Sequence, residues 1–169
     1  RRQRQMCIRD STDTETRFRQ KYLDLIANEA AMESAKSRSK LVSAIRRFME
    51  NLGFIEVETP MLVPVAAGGM ATPFSTHHNS LNRDLYLRIA TELHLKRLIV
   101  GGFEKVYEIG RVFRNEGVDQ QHNPEFTMLE LYVAHETPDF LMNMIEDMMR
   151  SISQVLFGSD QIEYLSLIH

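Results

Sequence analysis

Two segments with the composition of β-strands, joined by a short polar loop, constrain the fold of this chain more than any other feature. They are Val106–Arg114 and Glu125–Ala134. Consecutive strands with a short connection pair side by side in opposite directions, so these segments predict an antiparallel hairpin. Side chains alternate between the two faces of a strand. A mostly apolar set on one face of the second strand is predicted to pack on the core: Thr127, Leu129, Leu131 and Val133.

The other face of the second strand combines an acid with aromatic rings, which is not typical of a solvated face. It consists of Phe126, Met128, Glu130 and Tyr132. Near the loop, Arg114 and Glu116 have the parity that places them on the same surface. With His122 they predict a nucleotide site, in which the cationic side chains contact phosphates and an aromatic ring contacts the base. The residues alone leave a second interpretation open, namely cross-strand ion pairs on an exposed sheet face.

Helix and strand signals on both sides of the hairpin indicate an α+β fold, an antiparallel sheet flanked by helices. Apolar residues at helical spacing predict three helices: Met32–Leu52, Glu92–Val100 and Pro138–Phe157. Gly53 is predicted to end the first helix and Thr91 to cap the second. Alternation predicts strands at residues 54–58 and 85–89, and residues 64–73, rich in glycine and proline, are predicted to form a loop.

Length and composition are those of a globular domain with a buried core, since 43% of the 169 residues are hydrophobic. No apolar run approaches the roughly 20 residues of a membrane span and no signal-peptide pattern is present, so a cytoplasmic protein is predicted. A single cysteine excludes a disulfide within the chain. His77 and His78 have no partner at metal-ligand spacing, so a loop or a surface role is predicted for them. Residues 12–30 are polar and are predicted to lead into the first helix.

Several of these segments resemble the signature motifs of class II aminoacyl-tRNA synthetases. Residues 53–60 (GFIEVETP) resemble the first motif of that class. Residues 113–126, which begin with FRNE and end with NPEF, resemble the second motif. Within the class, residues 84–92 (DLYLRIATE) and 122–132 (HNPEFTMLELY) are similar to lysyl-tRNA synthetases. The resemblance covers about residues 12–164 and implies the N-terminal part of a catalytic domain.

The resemblance implies that one group of residues binds ATP: Arg114, Glu116, His122, Asn123 and Phe126. Arg114 would be the catalytic residue, because it would bridge the α-phosphate of ATP and the carboxylate of the amino acid. His122 would contact the γ-phosphate and Glu116 the adenine end of ATP. Phe126 would stack on adenine.

The resemblance implies that a second group of residues binds lysine: Gly68, Glu92, Glu130 and Tyr132. Carboxylates and a hydroxyl are suitable acceptors for the ammonium group of lysine. The backbone of Gly68 would lie near the substrate amino group. A wrong amino acid would leave a buried acceptor unpaired, which costs binding free energy.

The same resemblance implies a reaction, the ATP-dependent activation of lysine followed by its transfer to tRNA. Family members hold Mg²⁺ with acidic residues near a third motif, and nothing after Glu130 corresponds to that motif. They form homodimers through the region of the first motif and contact tRNA mainly through parts that this sequence does not contain. The expectation is an active full-length protein and a fragment that is inactive alone.

Two alternatives are compared with a tRNA ligase. One is the lysyl ligase paralogue that modifies a translation elongation factor, which differs within the arginine–acid segment, so residues 113–117 (FRNEG) favour the tRNA ligase. The other is a catalytically dead synthetase-like interaction protein, which would lose the phosphate-contacting residues. The presence of Arg114, Glu116, His122 and Phe126 argues against it.

The two ends of the chain differ in character from its body. Residues 6–11 (MCIRDS) and 165–169 (LSLIH) back-translate into strings that are reverse complements over their shared length, and both resemble a sequencing adapter. Residues 1–11 and 165–169 are therefore interpreted as adapter-derived tails on either side of residues 12–164. Without residues 1–11 the formal net charge moves from −3 to −6. An acidic body predicts no general electrostatic footprint for nucleic acid.

Overall fold

The strands of the described residues form two three-stranded sheets, and helices precede, separate and follow them. The structure is a computed structural model that describes residues 14–119 and 122–160, so the two adapter-like ends lie outside the described residues. The helices are α1 (Thr14–Arg19), α2 (Lys21–Ala27), α3 (Glu29–Asn51), α4 (Glu92–Val100) and α5 (Pro138–Phe157). The strands are β1 (Ile55–Glu56), β2 (Leu62–Val63), β3 (Ser75–His78), β4 (Arg83–Leu87), β5 (Lys105–Phe113) and β6 (Glu125–Val133). This mixture of helices and mainly antiparallel strands confirms the predicted α+β class.

The first sheet has the order β1-β5-β6 and contains the predicted hairpin. Strands β5 and β6 pair antiparallel over their whole length, with Val112 opposite Phe126 and Glu108 opposite Glu130. The strand predicted at residues 54–58 is shorter, because only Ile55–Glu56 pairs with β5, and that pairing is parallel. The hairpin prediction is confirmed, with one parallel strand added to its outer side.

The second sheet has the order β2-β4-β3, and the sequence predicted only its central strand. His77 and His78 do not lie in a loop, because both belong to β3, which pairs antiparallel with β4, but His77 is exposed, in agreement with a surface role. Nδ1 of His77 lies 2.8 Å from Oδ1 of Asp84 on β4. Polar side chains occupy β3 throughout and three of its four residues are exposed, so it lacks the apolar alternation that identifies a strand.

The ends of the helices agree with the predicted signals at one position and differ at another. Gly53 has a φ of +78° directly after α3, as predicted for a left-handed helix end. Thr91 precedes α4, but its side chain makes no capping hydrogen bond. Its backbone carbonyl instead accepts from the amides of His94 and Leu95. The region predicted as a lead-in forms the short helices α1 and α2.

Two compact units make up the chain, one of residues 46–144, and one that includes the described helical residues before and after it. The core of the 46–144 unit is formed by apolar side chains that are buried: Met49, Phe54, Leu85, Ile89, Leu95, Val106, Tyr107 and Val112. None of the helices in the described part of the chain is long and apolar enough to cross a membrane.

The predicted core face of β6 was wrong. All four of its residues are only half-buried, as are those of the opposite face: Thr127, Leu129, Leu131 and Val133 on one side, Phe126, Met128, Glu130 and Tyr132 on the other. In the described part of the sheet β6 has β5 as its sole neighbour. A strand at an edge is covered less completely than a central one, which explains the difference from the buried residues of β5.

Candidate functional site

The loop end of the β5–β6 hairpin holds a guanidinium group over an aromatic ring. Arg114 follows β5, and its backbone amide donates to the carbonyl of Pro124 (2.8 Å), which fixes it beside the start of β6. The Cζ atom of Arg114 lies 5.3 Å from the centroid of the Phe126 ring. The Nε atom of Arg114 is buried and has no hydrogen-bond partner among the described residues. A cation with an unused, buried donor is suited to an anionic ligand.

A cavity of about 340 Å³ opens at this end of the hairpin. Its lining includes every residue that the sequence predicted for ATP: Arg114, Glu116, His122, Asn123 and Phe126. Gly117 and Pro124 complete the wall. The structure therefore brings the predicted residues into one concave surface, whose size suits part of a nucleotide.

An exposed acid that sequence reasoning did not consider holds the side chain of His122. Nδ1 of His122 lies 2.8 Å from Oδ2 of Asp119, and the backbone amide of His122 donates to Oδ1 of the same carboxylate (2.8 Å). Both side chains are mostly exposed. The contact fixes one ring nitrogen, so Nε2 is the atom left to face a ligand.

A second cluster lies further along the same face of β6, at the start of α4. Oε1 of Glu130 accepts from the backbone amide of Thr91 (3.4 Å), whereas its Oε2 is buried and has no partner among the described residues. Burial, together with the nearby carboxylates Glu130 and Glu92, raises the pKa of Tyr132 to about 12. The predicted lysine-binding side chains Glu92, Glu130 and Tyr132 are therefore neighbours.

The backbone of Gly68 lies against this second cluster. Gly68 has a φ of +95°, and a Cβ added there would lie 2.8 Å from Cβ of Ala90 and 3.3 Å from Cβ of Glu92. A side chain at this position would thus be strained by the backbone and would collide with its neighbours. The predicted Gly68 backbone does lie next to Glu92.

Lys96 is a member of the second cluster that sequence reasoning missed. Its Nζ lies 2.5 Å from Oε1 of Glu92 and 5.8 Å from the centroid of the Tyr132 ring. The spacing of four residues between Glu92 and Lys96 on a predicted helix is the signal that could have found the pair. Because Lys96 is more than half exposed, its ion pair is a weak one that other cations can replace.

A buried ion pair beneath the sheet face was also missed. Nη1 of Arg88 lies 2.6 Å from Oε1 of Glu108, and both side chains are almost completely buried. The hydroxyl of Thr59 donates to the other oxygen of Glu108 (2.6 Å). Nothing in the local sequence of either residue indicates that Arg88 reaches Glu108.

Charge is separated along one face of the hairpin. Arg114 and Phe126 lie at its loop end, and Glu130 lies four residues further along β6, about 13 Å away at the usual rise per residue. An anion with an aromatic group can bind at the first position and an ammonium group at the second. The arrangement can therefore hold two ligands of opposite charge side by side and bring them into contact between these positions.

No group of three or more acidic, histidine or cysteine side chains that could hold a metal ion forms within residues 14–119 and 122–160. His77 and His78 likewise belong to no such group in the part of the chain described. The described residues thus do not provide a site that fits Mg²⁺, and no residue of this chain is assigned to that ion.

Comparison with known proteins places these residues in a family. Residues 13–166 match the family described as tRNA synthetases class II (D, K and N). Over 90% of its length the chain is 58% identical to the lysine–tRNA ligase of Edwardsiella ictaluri (strain 93-146) and 56% identical to that of Coxiella burnetii (strain Dugway 5J108-111). It is 57% identical to the lysine–tRNA ligase of Staphylococcus epidermidis (strain ATCC 12228) over the same share. The chain spans 30 to 31% of the length of these relatives. The chain belongs to the class II (D, K and N) tRNA synthetase family.

Proposed function

We propose that the full-length protein is a lysine–tRNA ligase, which activates lysine with ATP and transfers it to tRNA in the cytoplasm. Family membership and the names of the relatives support this proposal. The substrates of the aspartate and asparagine members of the family have an acidic or a neutral side chain. The pair of carboxylates at Glu92 and Glu130 favours a cationic amino acid instead.

The observation that carries the proposal is the stacked pair of Arg114 and Phe126 at the mouth of the 340 Å³ cavity. In the proposed complex the ring of Phe126 stacks on adenine, and the guanidinium of Arg114 contacts the α-phosphate. The Nε of Arg114 gives that group a donor that no described residue of the chain uses. Glu116, His122 and Asn123 contact the remaining parts of ATP from the same wall.

The amino acid binds beside ATP in the proposed complex. Its ammonium group donates to Oε2 of Glu130, the buried oxygen without a partner among the described residues. Glu92, Tyr132 and the backbone of Gly68 line the same pocket. The carboxylate of lysine then points along β6 toward the guanidinium of Arg114 at the loop end of the hairpin.

The reaction follows from this placement. The lysine carboxylate attacks the α-phosphorus of ATP, pyrophosphate leaves, and lysyl-adenylate forms. Arg114 stabilises the charge that develops on the α-phosphate, so the protein acts through position and electrostatics. A terminal hydroxyl of tRNA then attacks the lysyl carbonyl and AMP leaves. When bound, Mg²⁺ would neutralise phosphate charge, and its ligands are assigned to no described residue.

The proposal includes a second copy of the protein. Apolar side chains around the first motif are exposed to solvent at more than a third of their surface: Leu52, Ile55, Met61 and Leu62. Exposed apolar side chains that lie close together are typical of an interface. A homodimer through this region would bury them.

Binding of ATP to Arg114 variants tests the proposal. We expect Arg114→Ala to weaken binding of ATP by about 10-fold to 100-fold, as for the loss of a hydrogen bond to a charged group. Arg111→Ala is the matched control, because Arg111 lies only three residues before Arg114, on β5, and has an exposed ion pair with Glu125 on the opposite face. Isothermal titration calorimetry measures both. Equal ATP affinity of the two variants would contradict the proposed site.

A further inference from the structure

Two carboxylates lie directly opposite each other on the paired strands β5 and β6. Glu108 is the register partner of Glu130, so both side chains are on one face of the sheet. Cβ atoms of such partners are about 5 Å apart, and like charges in this position destabilise a sheet. Both residues are at least partly buried, where the repulsion is screened less than at a surface. A counter-charge is needed for both groups to be ionised together.

Arg88 supplies that counter-charge to Glu108. Its guanidinium contacts Oε1 of Glu108 at 2.6 Å, and the Thr59 hydroxyl donates to Oε2 at 2.6 Å. Both oxygens of Glu108 are therefore satisfied, and its charge is balanced by a side chain that is only 2% exposed. Among the described residues, Glu130 receives a long hydrogen bond at Oε1 and has no partner at Oε2.

Backbone and side-chain contacts hold Arg88 in one orientation. Nε donates to the carbonyl of Arg111 (2.8 Å) and Nη1 to the carbonyl and hydroxyl of Thr59 (both 3.0 Å). Gly110 leaves room for the guanidinium, because a Cβ there would lie 2.3 Å from Nη2 of Arg88. The space, the donors and the acceptor are thus matched to an arginine.

The same residue positions the amide that contacts Glu130. The carbonyl of Arg88 accepts from the amide of Phe113 (2.9 Å), and its own amide donates to Met61 (2.9 Å). Three residues later, the amide of Thr91 donates to Oε1 of Glu130. Residues 88–91 are all buried. This short segment therefore connects the ion pair between Arg88 and Glu108 on β5 to the carboxylate of Glu130 on β6.

We propose that Arg88 is a positioning and charge-balancing residue of the amino-acid subsite. Its guanidinium balances the charge of Glu108, which lies opposite Glu130, and through residues 88–91 it fixes the orientation in which Glu130 offers Oε2 to an ammonium group. This inference rests on the proposed function only in naming the amino acid's ammonium group as the ligand. Other charged or titratable groups around Glu130 are Glu92 and Lys96 on α4 and Tyr132 on β6.

The first experiment does not depend on lysine. The pH titration of the Glu130 carboxyl signal is followed by carbon NMR in the whole chain, with Arg88→Gln, Arg88→Lys, Glu108→Gln and the double variant Arg88→Gln/Glu108→Gln. We expect Arg88→Gln to move the Glu130 titration to higher pH by about one unit, since Glu108 is then a like charge without compensation. Glu108→Gln should move it to lower pH, and the double variant should restore the original titration.

The variants distinguish charge from structure. Arg88→Lys keeps the positive charge, so it should leave the Glu130 titration within about 0.3 unit of that of the original chain, even if it lowers the melting temperature. Arg111→Gln, a change on the other face of β5, is the matched control and should have no effect. If Arg88→Gln does not fold, the Glu130 titration in Glu108→Gln tests the proposal by itself. This variant is expected to fold, because its amide replaces the carboxylate without changing the size of the side chain. An unchanged titration in Glu108→Gln would overturn the proposal.

The second experiment links Arg88 to the ligand. We expect the dissociation constant of L-lysine at pH 7, measured by calorimetry, to rise about tenfold in Arg88→Gln and to be restored in the double variant. Failure of the full-length protein to bind lysine would contradict the proposed function but not the titration result. Lysine binding that is unaffected by Arg88→Gln, together with an unchanged titration, would overturn the role of Arg88.

Discussion

Three buried polar atoms of the candidate site have no hydrogen-bond partner among the described residues. They are Oγ1 of Thr91, Nε of Arg114 and Oε2 of Glu130. Each such atom costs about 1–3 kcal/mol of stability, so a fold rarely retains three near one another without a use for them. Their mixture of donor and acceptors matches a ligand with both an anionic and a cationic group, as in the proposed complex of ATP and an amino acid.

Gly68 provides a test at the scale of one residue. Gly68→Ala should lose about 1–2 kcal/mol of stability from its positive φ and should also weaken lysine binding, because the new Cβ displaces Ala90 or Glu92. Gly53→Ala is the matched control, since Gly53 also has a positive φ but has no atom within 4 Å of the added Cβ. Chemical unfolding and lysine titration measure the two effects. Weakened lysine binding in Gly53→Ala as well would show that the effect is not local.

Tyr132 provides a pH test of the same pocket. Burial and the nearby carboxylates Glu130 and Glu92 raise its pKa from 10.0 to about 12. Because the folded value lies above the ordinary one, the neutral phenol stabilises the fold below about pH 10, and this contribution is lost as the pH rises through 12. Glu130→Gln should therefore move the Tyr132 titration to lower pH.

Absorbance of the phenolate near 295 nm measures that titration, with Tyr132→Phe to identify the signal. The pKa of Tyr107 is also raised to about 12, by burial and its hydrogen bond to Glu56, so Tyr132→Phe should remove one of two late steps. Tyr107 is not expected to respond to Glu130→Gln. A Tyr132 signal that does not respond either would show that Glu130 is not its neighbour in solution.

The site residues that could be predicted lie close together in the sequence. Those that were missed depend on contacts between residues that are distant in the sequence. Arg114, His122 and Phe126 lie close to one turn, and strand parity placed Arg114 and Phe126 on one surface. Arg88 and Glu108 are 20 positions apart, and only the packing of β4 against β5 brings them together. No periodicity within either segment encodes that contact.

At the scale of secondary structure, the helices and strands that could be predicted are those with a strong periodicity of apolar residues. The hairpin and the helices α4 and α5 combine clear patterns with glycine or proline boundaries, and their predicted bounds agree with the structure to within a residue or two. Strand β3 could not be predicted, because its polar residues, including His77 and His78, face solvent on both sides. The edge position of β6 could not be predicted either, because it depends on which strands pair with β6, and the alternation of apolar and polar residues within β6 does not show this.

The helices α1 and α2 show how a charged segment can be ordered without an apolar stripe. Asp24 on α2 is buried and accepts from Lys21 Nζ (2.7 Å) and Arg17 Nε (2.9 Å). Those two contacts, the one with Lys21 being the larger, lower the pKa of Asp24 to about 2. Because the folded value lies below the ordinary one of 3.8, the stabilisation is complete above about pH 4 and is lost as the pH falls through 2.

Asp24→Asn tests that stabilisation. At pH 7 the variant should unfold at lower denaturant concentration than the original chain, and the difference should shrink as the pH falls from 4 to 2. Glu33→Gln is the control, because Glu33 forms an exposed ion pair with Lys36 on α3, and such pairs contribute little. Circular dichroism during urea unfolding measures all three proteins. If the difference in stability between Asp24→Asn and the original chain does not depend on pH, Asp24 stabilises the fold through packing and not through its charge.

At the scale of the whole molecule, the site is built on the best-buried part of the chain. Val106, Tyr107 and Val112 on β5 are completely buried, as are Met49 and Leu95 on α3 and α4. Strand β5 carries Glu108 in its middle and Arg114 at its end, so the central strand of the first sheet positions both subsites. Preorganised charges require such a rigid support, since a shift of about 1 Å costs much of their effect.

Hydrogen exchange tests whether this support is also the most stable part of the chain. Amides that open only on global unfolding exchange slowest, and they belong to strands with neighbours on both sides and a buried core. We therefore expect Lys105–Phe113 to be the best-protected segment, whereas the short helices Thr14–Arg19 and Lys21–Ala27 exchange much faster. Mass spectrometry of peptic fragments measures protection, with the exposed strand Ser75–His78 as an internal control for strand structure without burial. Protection of Ser75–His78 equal to that of Lys105–Phe113 would show that burial of β5 does not set its stability. The site would then need another source of rigidity to hold Phe126 and Glu130 about 13 Å apart.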